Sequence, residues 1–259
     1  MRSIIVVARE TFLLLRRDKM YLPAIVIGVA FIMLANLASD WSIEDFTKIL
    51  FDIGAVGFHL VGAVVALFWG TKTITDSRQS GALEVQLSLP IGRPQWLIGK
   101  FTGLCLSLLS LGVVLTICWG FFMYFNRFGI MTSKQVMVFA LLMLNWIVIA
   151  AVSVFFASFC SQTVALFNAT ALWVAGLASR SVAETISPQT PELTAKSVKF
   201  VAQFWNLQIF NLADFVNPST IATFPPAREL AWRGLYGLSL VVLLLSVACV
   251  IFSRRDLIA

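Results

Sequence analysis

The feature that most constrains this chain is a long run of residues without charge. From 135 to 179, 45 consecutive residues carry no charged side chain. A membrane-spanning helix needs about 20 apolar residues, so the run is too long for one span and suits two. The polar stretch from Ser158 to Thr163 marks the predicted turn between them. We therefore predict two membrane spans, at 135–157 and 164–182.

The composition of the whole chain is typical of a membrane protein. Of its 259 residues, 59% are hydrophobic and 12% are charged, and the mean hydropathy is +0.89. Soluble domains average about 25% charged residues, which disfavours the alternative of a very apolar soluble core. The other predicted spans lie at 21–38, 53–69, 101–125 and 234–252. We predict an all-α integral membrane protein with six transmembrane helices.

The first 20 residues predict an amphipathic helix that lies in the membrane interface. Arg2, Arg9 and Arg16 recur every seven residues, so they share one face that can contact lipid headgroups. The alternative is that this stretch only begins the first span. With both termini in the cytoplasm, the inner segments hold eleven Lys and Arg and the outer segments eight. This bias favours an orientation with both termini in the cytoplasm.

The segment 183–233 is the longest one between predicted spans. Prolines punctuate it, and it is too polar to cross a membrane and too aromatic to be a free loop. We predict an outer loop that contains a helix packed on the bundle. Contact with a periplasmic protein and capping of the bundle both remain open as its role.

The chain lacks the motifs of an enzyme. The residues 92–100 end in Gly99-Lys100, but the glycine spacing and Phe101 do not fit a phosphate-binding loop. His59 is the single histidine, so a Ser–His pair or a histidine-rich metal site would depend on it alone. The four cysteines form no CxxC pair. We predict no catalytic residue, no metal site and no cofactor in this chain. The net charge of +6 fits cytoplasmic membrane loops, so we expect no nucleic-acid partner.

Three polar residues inside the predicted spans are candidates for a substrate path: His59, Asn145 and Asn168. Polar residues in spans more often serve helix packing, whereas ionisable ones tend to be functional. No acidic residue lies in the middle of a predicted span. That absence disfavours an ion-coupled carrier and favours energy supplied by another subunit.

The segment 77–100 is the longest polar interruption in the first half of the chain. Gly81 opens a short amphipathic run, and Pro90 ends it because proline disfavours helix at the residue before it. Such a run between two spans can present a rigid surface to a partner in water. An ordinary cytoplasmic loop is the alternative interpretation.

The same segment resembles the ABC-2 type permease family. In that family, the loop after the second span reads acid–x–x–x–x–Gly–(Thr/Ala)–Leu–Glu–x–Leu–Leu–x–x–Pro–x–x–Arg, followed by Gly-Lys at the start of the third span. The residues that match this pattern are Gly81, Leu83, Glu84, Pro90, Arg93, Gly99 and Lys100, and Asp76 stands where Glu is commoner. Gln79 departs from the usual acidic residue. The chain looks nearest to the branch associated with multicopper-enzyme maturation and nitrous-oxide-reductase assembly.

The resemblance implies the permease subunit of an ATP-driven transporter with a type V exporter-like fold, in the bacterial inner membrane. Two such chains, expected to form a homodimer, would sit above two copies of a separate ABC ATPase subunit, which binds the ATP and Mg. The segment 77–100 would be the coupling helix. Its docking residues would be Gly81, Leu83, Glu84, Leu87, Pro90 and Arg93. The alternative function is a non-transport membrane anchor or assembly factor for a periplasmic enzyme.

Overall fold

A computed structural model describes residues 2–39, 46–88, 91–125, 131, 133–184 and 227–254. Within these ranges, every regular element is an α-helix and no strand occurs. In chain order the helices are α1 (Arg2–Arg16), α2 (Tyr21–Ser39), α3 (Phe46–Gln79), α4 (Ala82–Leu87), α5 (Arg93–Phe125), α6 (Ser133–Ala157), α7 (Gln162–Glu184) and α8 (Ala227–Arg254). The outer segment predicted at 183–233 lies mostly outside the described residues.

In the described part of the chain, five helices are long and apolar enough to cross a membrane. Their candidate spans are Tyr21–Ala38, Ile53–Gln79, Arg93–Phe125, Gln135–Ala157 and Gly234–Arg254. These helices confirm the prediction of a multi-pass, all-helical membrane protein. The apolar part of α7, Gln162–Leu177, is shorter. The sixth span therefore stays a prediction.

The long uncharged run divides at the predicted turn. Helix α6 ends at Ala157 and α7 begins at Gln162. The turn is closed by local hydrogen bonds, because the Ser158 hydroxyl donates to the Phe155 carbonyl at 2.7 Å and the Cys160 N–H to the Phe156 carbonyl at 2.9 Å. The break in apolar character was thus sufficient to place the end of one helix and the start of the next.

Helix α3 continues well beyond residue 69, where the second span was predicted to end. The hydroxyls that follow donate their protons to carbonyls one turn earlier: Thr71 to Leu67 at 3.0 Å, Thr73 to Trp69 at 2.6 Å, Thr75 to Thr71 at 2.9 Å and Ser77 to Thr73 at 3.0 Å. Because the helix itself satisfies these hydroxyls, the polar residues extend the helix instead of forming a loop. Helix α5 likewise begins at Arg93, before the predicted start at 101.

Helices α3 and α6 form the centre of the bundle. Of their apolar windows, 72% and 78% are buried, compared with 28% for α2 and 22% for α8. Two glycines of α3 leave room for indole rings, because a Cβ at Gly54 would collide with Trp119 and one at Gly62 with Trp146. The Phe58 and Trp146 rings stack with centroids 4.5 Å apart. We call this contact region, Gly54 to Gly62 with Trp119, Phe139 and Trp146, the aromatic seam.

Helix α1 packs along the start of α5 as a separate element. A Cβ at Gly99 would lie 2.8 Å from the Cβ of Val7, and one at Gly103 would lie 2.5 Å from the carbonyl oxygen of Ala8. Small residues four positions apart allow helix axes to approach closely. The turn 17–20 then separates α1 from α2.

Candidate functional site

The candidate site is built around the short connection between α3 and α5. Gly81 has a φ of +71°, a left-handed conformation that L-residues with side chains rarely adopt. It follows the end of α3, and its carbonyl accepts a hydrogen bond from the Val85 N–H at 3.4 Å. Gly81 therefore turns the chain out of α3 and into α4.

Helix α4 turns one apolar side chain inward and another outward. Leu83 is 3% exposed and belongs to the hydrophobic core, whereas Val85 is 70% exposed. Leu83 therefore anchors α4 on the bundle, and Val85 is an apolar residue that α4 presents outward. The side chains of Glu84 and Leu87, and Pro90 as a whole, lie outside the described part of the structure.

Arg93, the last of the predicted docking residues, lies beside the end of α8. Its Nη1 donates a hydrogen bond to the Ser253 carbonyl at 3.2 Å. One turn later, the Trp96 ring stacks on Phe252 with centroids 5.6 Å apart. The start of α5 is thus fixed against the C-terminal end of the last helix.

A polar cross-link connects α4 to α1. The Gln86 Nε2 donates to both carboxylate oxygens of Glu10, at 2.9 and 3.0 Å. The Trp96 Nε1 donates to the Gln86 Oε1 at 2.5 Å. Helices α1, α4 and the start of α5 therefore form one hydrogen-bonded unit. We call this unit, together with the turn 17–20 and the end of α3, the polar junction.

The arginine face predicted for α1 is partly described. Arg9 and Arg16 are exposed, and the Arg16 guanidinium lies 5.6 Å from the centroid of the Phe12 ring. The side chain of Arg2 lies outside the described residues. The same helix also exposes apolar residues, among them Ile5 at 67% and Leu14 at 58%. Helix α1 thus carries charged and apolar side chains on its outer surface.

An ion pair joins the turn 17–20 to α3. The Lys72 Nζ lies 2.5 Å from the Asp18 Oδ2, and the Asp18 Oδ1 accepts the Met20 N–H at 2.9 Å. Burial by itself raises the pKa of Asp18. The hydrogen bonds from Lys72 and Met20 and the charge of Lys72 outweigh burial, so that the pKa lies below its ordinary value.

Beside this ion pair lies a polar cleft of about 230 Å³ between α1, α3 and α5. Its polar lining consists of two carboxylates, two ammonium groups and three hydroxyls, from Asp18, Asp76, Lys72, Lys100, Thr11, Thr73 and Ser77. Asp76 and Lys100 are the first and last charged residues of the motif, and the fold brings both to this one cleft. Lys100 is 3% exposed, and its Nζ lies 5.5 Å from the centroid of the Trp96 ring.

The three candidates for a substrate path lie on three helices: His59 on α3, Asn145 on α6 and Asn168 on α7. His59 and Asn145 are buried, and Asn168 is half-buried. Neither ring nitrogen of His59 nor the Oδ1 of Asn145 has a hydrogen-bond partner among the described residues. Within the same ranges, no cluster of three His, Cys, Asp or Glu could hold a metal ion. A role in a substrate path stays a prediction.

The helices and the connection between α3 and α5 can be compared with known families. A family model described as ABC-2 family transporter protein matches residues 19–257. The chain belongs to the ABC-2 transporter family. This ABC-2 protein is therefore a membrane component of an ABC transporter, of the permease type, and its family implies partnership with an ABC ATPase subunit. Permeases of this kind are typically not enzymes. A search of curated proteins gives no match, and the branch within the family stays a prediction.

Several residues of the polar junction in this ABC-2 permease could not be found from the sequence. Glu10 and Gln86 are far apart in the chain, as are Asp18 and Lys72, and no motif marks either pair. The spacing of Gly99 and Gly103 is a signal that the sequence does contain, since small residues four positions apart often mark a close helix contact.

Proposed function

We propose that this ABC-2 permease forms, as a homodimer, the membrane part of an ATP-driven exporter whose two ATPase subunits dock on the segment 77–100. The observation that carries the proposal is the geometry of α4. This helix holds Leu83 in the bundle, exposes Val85 and is tied to α1 through Gln86 and Glu10. It is a small rigid surface with direct connections to the spans.

The charge distribution supports a cytoplasmic position for the polar junction in the bacterial inner membrane. The Arg78 guanidinium donates to the carbonyls of Ala157 and Cys160, and Arg93 donates to Ser253. Together with the hydrogen bonds of Gln86 to Glu10 and Trp96, these contacts gather α1, α4, the turn 158–161 and the end of α8 at one end of the bundle. That end also carries exposed Arg9, Arg16 and Lys19. Such a positive end suits the cytoplasmic side and, if α7 serves as the sixth span, leaves both termini there.

Three sets of contacts connect α4 to the membrane part of the protein and can transmit its displacement. The Gln86–Glu10 hydrogen bonds lead to α1, which we place in the membrane interface. Leu83 leads to the core. Trp96 and Arg93 lead to α5 and α8. We propose that closure of the ATPase pair around ATP and Mg moves α4, and that these contacts carry the movement to α1 and the spans together.

Variants that reverse or introduce a charge on the segment 77–100 test the docking assignment. We would co-purify the permease with its ATPase and measure ATP turnover for the unmodified chain and for Glu84→Arg, Val85→Arg and Arg93→Glu. A docking residue at the centre of an interface contributes more than about 1.4 kcal/mol, so at least one variant should lose about tenfold of the bound ATPase. The matched control is Lys19→Glu, which reverses an exposed charge outside the segment.

Unchanged ATPase binding and turnover in all three variants would contradict docking on this segment. A correctly folded, unmodified chain that binds no ABC ATPase would instead favour the alternative of a membrane anchor or assembly factor for a periplasmic protein.

A further inference from the structure

Among the residues that the structure describes, the polar cleft between α1, α3 and α5 contains one unpaired charge of each sign. Asp18 and Lys72 neutralise each other. The Asp76 carboxylate has neither a hydrogen bond nor an ion pair among the described residues, and the Lys100 ammonium has none there either. Lys100 contacts the Trp96 ring and is influenced by the charge of Glu10. A ligand that neutralises this cleft therefore carries both an anion and a cation.

The hydroxyls decide what kind of cation fits. Thr11, Thr73 and Ser77 each donate the hydroxyl proton to the backbone carbonyl one turn earlier, at 2.8, 2.6 and 3.0 Å. These oxygens can therefore offer the cleft only lone pairs. With the Asp76 carboxylate they make a wall of acceptors, which favours a cation with N–H donors. A primary ammonium has three such donors, and a quaternary ammonium has none.

The anionic part of the ligand belongs at Lys100. An ammonium that is 3% exposed and without an ion pair gains a charge-assisted hydrogen bond from a phosphate oxygen. The cleft also has an apolar side formed by Leu14 and Leu15, and Leu14 is 58% exposed. An exposed leucine beside a charged cleft suits a ligand with a polar headgroup and apolar chains.

We propose that this cleft binds the headgroup of a phospholipid with a primary amine, of the phosphatidylethanolamine class, with the phosphate at Lys100 and the ammonium at Asp76. Bound there, the lipid links α1 to α3 and α5. The proposal is independent of the ATPase and of the direction of transport, because it depends only on the lining of the cleft.

The test uses the full-length permease in detergent and native mass spectrometry. The protein is equilibrated with dioleoyl phosphatidylethanolamine, with the corresponding phosphatidylcholine, and with the corresponding phosphatidylglycerol, and the retained lipid is counted. Phosphatidylcholine has no N–H donors and cannot form hydrogen bonds to the charged Asp76 carboxylate. Phosphatidylethanolamine should therefore be retained about tenfold better than phosphatidylcholine. Phosphatidylglycerol, which lacks the amine, should also be retained less. This comparison needs no mutation.

Two variants then locate the site. Asp76→Asn should abolish the preference for the primary amine lipid, and Lys100→Gln should lower the retention of all three lipids, because each of them carries the phosphate. Lys19→Gln, which removes an exposed charge outside the cleft, should change neither. Equal retention of the three lipids would overturn the proposal, as would a preference that survives Asp76→Asn or a lipid retention that Lys100→Gln leaves unchanged. Soluble glycerophosphoethanolamine that competes as well as the lipid would overturn it too, because it would assign the cleft to a soluble ligand.

Discussion

The aromatic seam and the polar junction hold their helices together in different ways. In the seam, Gly62 of α3 makes room for Trp146, and Phe58 stacks on that ring at 4.5 Å. In the polar junction, Glu10 and Gln86 are exposed or half-buried and are joined by hydrogen bonds. The first contact depends on shape and the second on paired polar atoms.

This difference indicates which part of the bundle moves as a unit and which part transmits a displacement of α4. A close-packed contact between ring and glycine tolerates little change in distance. Hydrogen bonds between exposed polar side chains keep their partners through small changes in length and angle. We therefore expect α3 and α6 to move as one body, and the polar junction to adjust when α4 is displaced.

The largest effect should come from the seam. In Gly62→Ala the added Cβ collides with Trp146, and overpacking of this kind costs about 1–3 kcal/mol. Thermal unfolding in detergent should show a clear loss of stability. The matched control is Gly234→Ala on α8, where the nearest atom to the new Cβ is 4.0 Å away. Equal stability of the two variants would show that the seam is not tightly packed.

A smaller effect is expected at the polar junction, in function more than in stability. Gln86→Leu removes the hydrogen bonds to Glu10 and from Trp96. A hydrogen bond is worth about 0.5–1.5 kcal/mol, so the coupling of ATP turnover to movement of α1 should fall about two- to tenfold. ATP turnover of the assembled complex measures the loss of coupling, and thermal unfolding measures the change in stability separately.

The control for this variant is Ser88→Ala, because among the described residues the Ser88 hydroxyl bonds only within its own turn, to the Val85 carbonyl. If Gln86→Leu lowers stability as much as Gly62→Ala and leaves turnover unchanged, the distinction between seam and junction fails.

The smallest effect is a dependence of stability on pH through Asp18. Lys72 is 37% exposed, so the pair contributes only about 0.2–1 kcal/mol. The pKa of Asp18 is lowered in the native protein, so this contribution is complete above the ordinary carboxyl pKa of about 4. It is lost as the pH falls through the lower native pKa.

The melting temperatures of the unmodified chain and Asp18→Asn should therefore differ at pH 7 and converge in strong acid. A difference that is the same at both pH values would contradict the role of the ion pair. Lys19→Gln, an exposed neighbour of Asp18, should show no such convergence.

The membrane class and the main division of the chain could be predicted because they depend on local composition. The turn at 158–161 follows from a break in an otherwise apolar run. The extent of α3 could not be predicted in the same way. Its residues after Trp69 are polar enough to suggest a loop. The sequence does not show whether a polar side chain bonds to its own helix, as Thr73 does, or faces water.

The position of the connection between α3 and α5 could be predicted but its detailed contacts could not, and its role as a docking site stays a prediction. The motif indicated the connection between α3 and α5, and Gly81 has the conformation that such a turn requires. Which side chains face outward depends on how α4 packs, so an alternating pattern could not separate buried Leu83 from exposed Val85. The partners of Gln86 and Lys72 come from α1 and the turn after it, and local patterns contain no information on such distant contacts.

The hydroxyls along the end of α3 have one more consequence. Thr71, Thr73 and Ser77 bond to their own backbone, so their oxygens lose little when water is withdrawn. These three side chains are at most 8% exposed, so they lie among neighbouring helices and not in water. A helix end of this kind can be buried at a small desolvation cost without unwinding. If the ATPase docks at this end of the bundle, we expect α3 to carry a displacement along its length as one continuous helix.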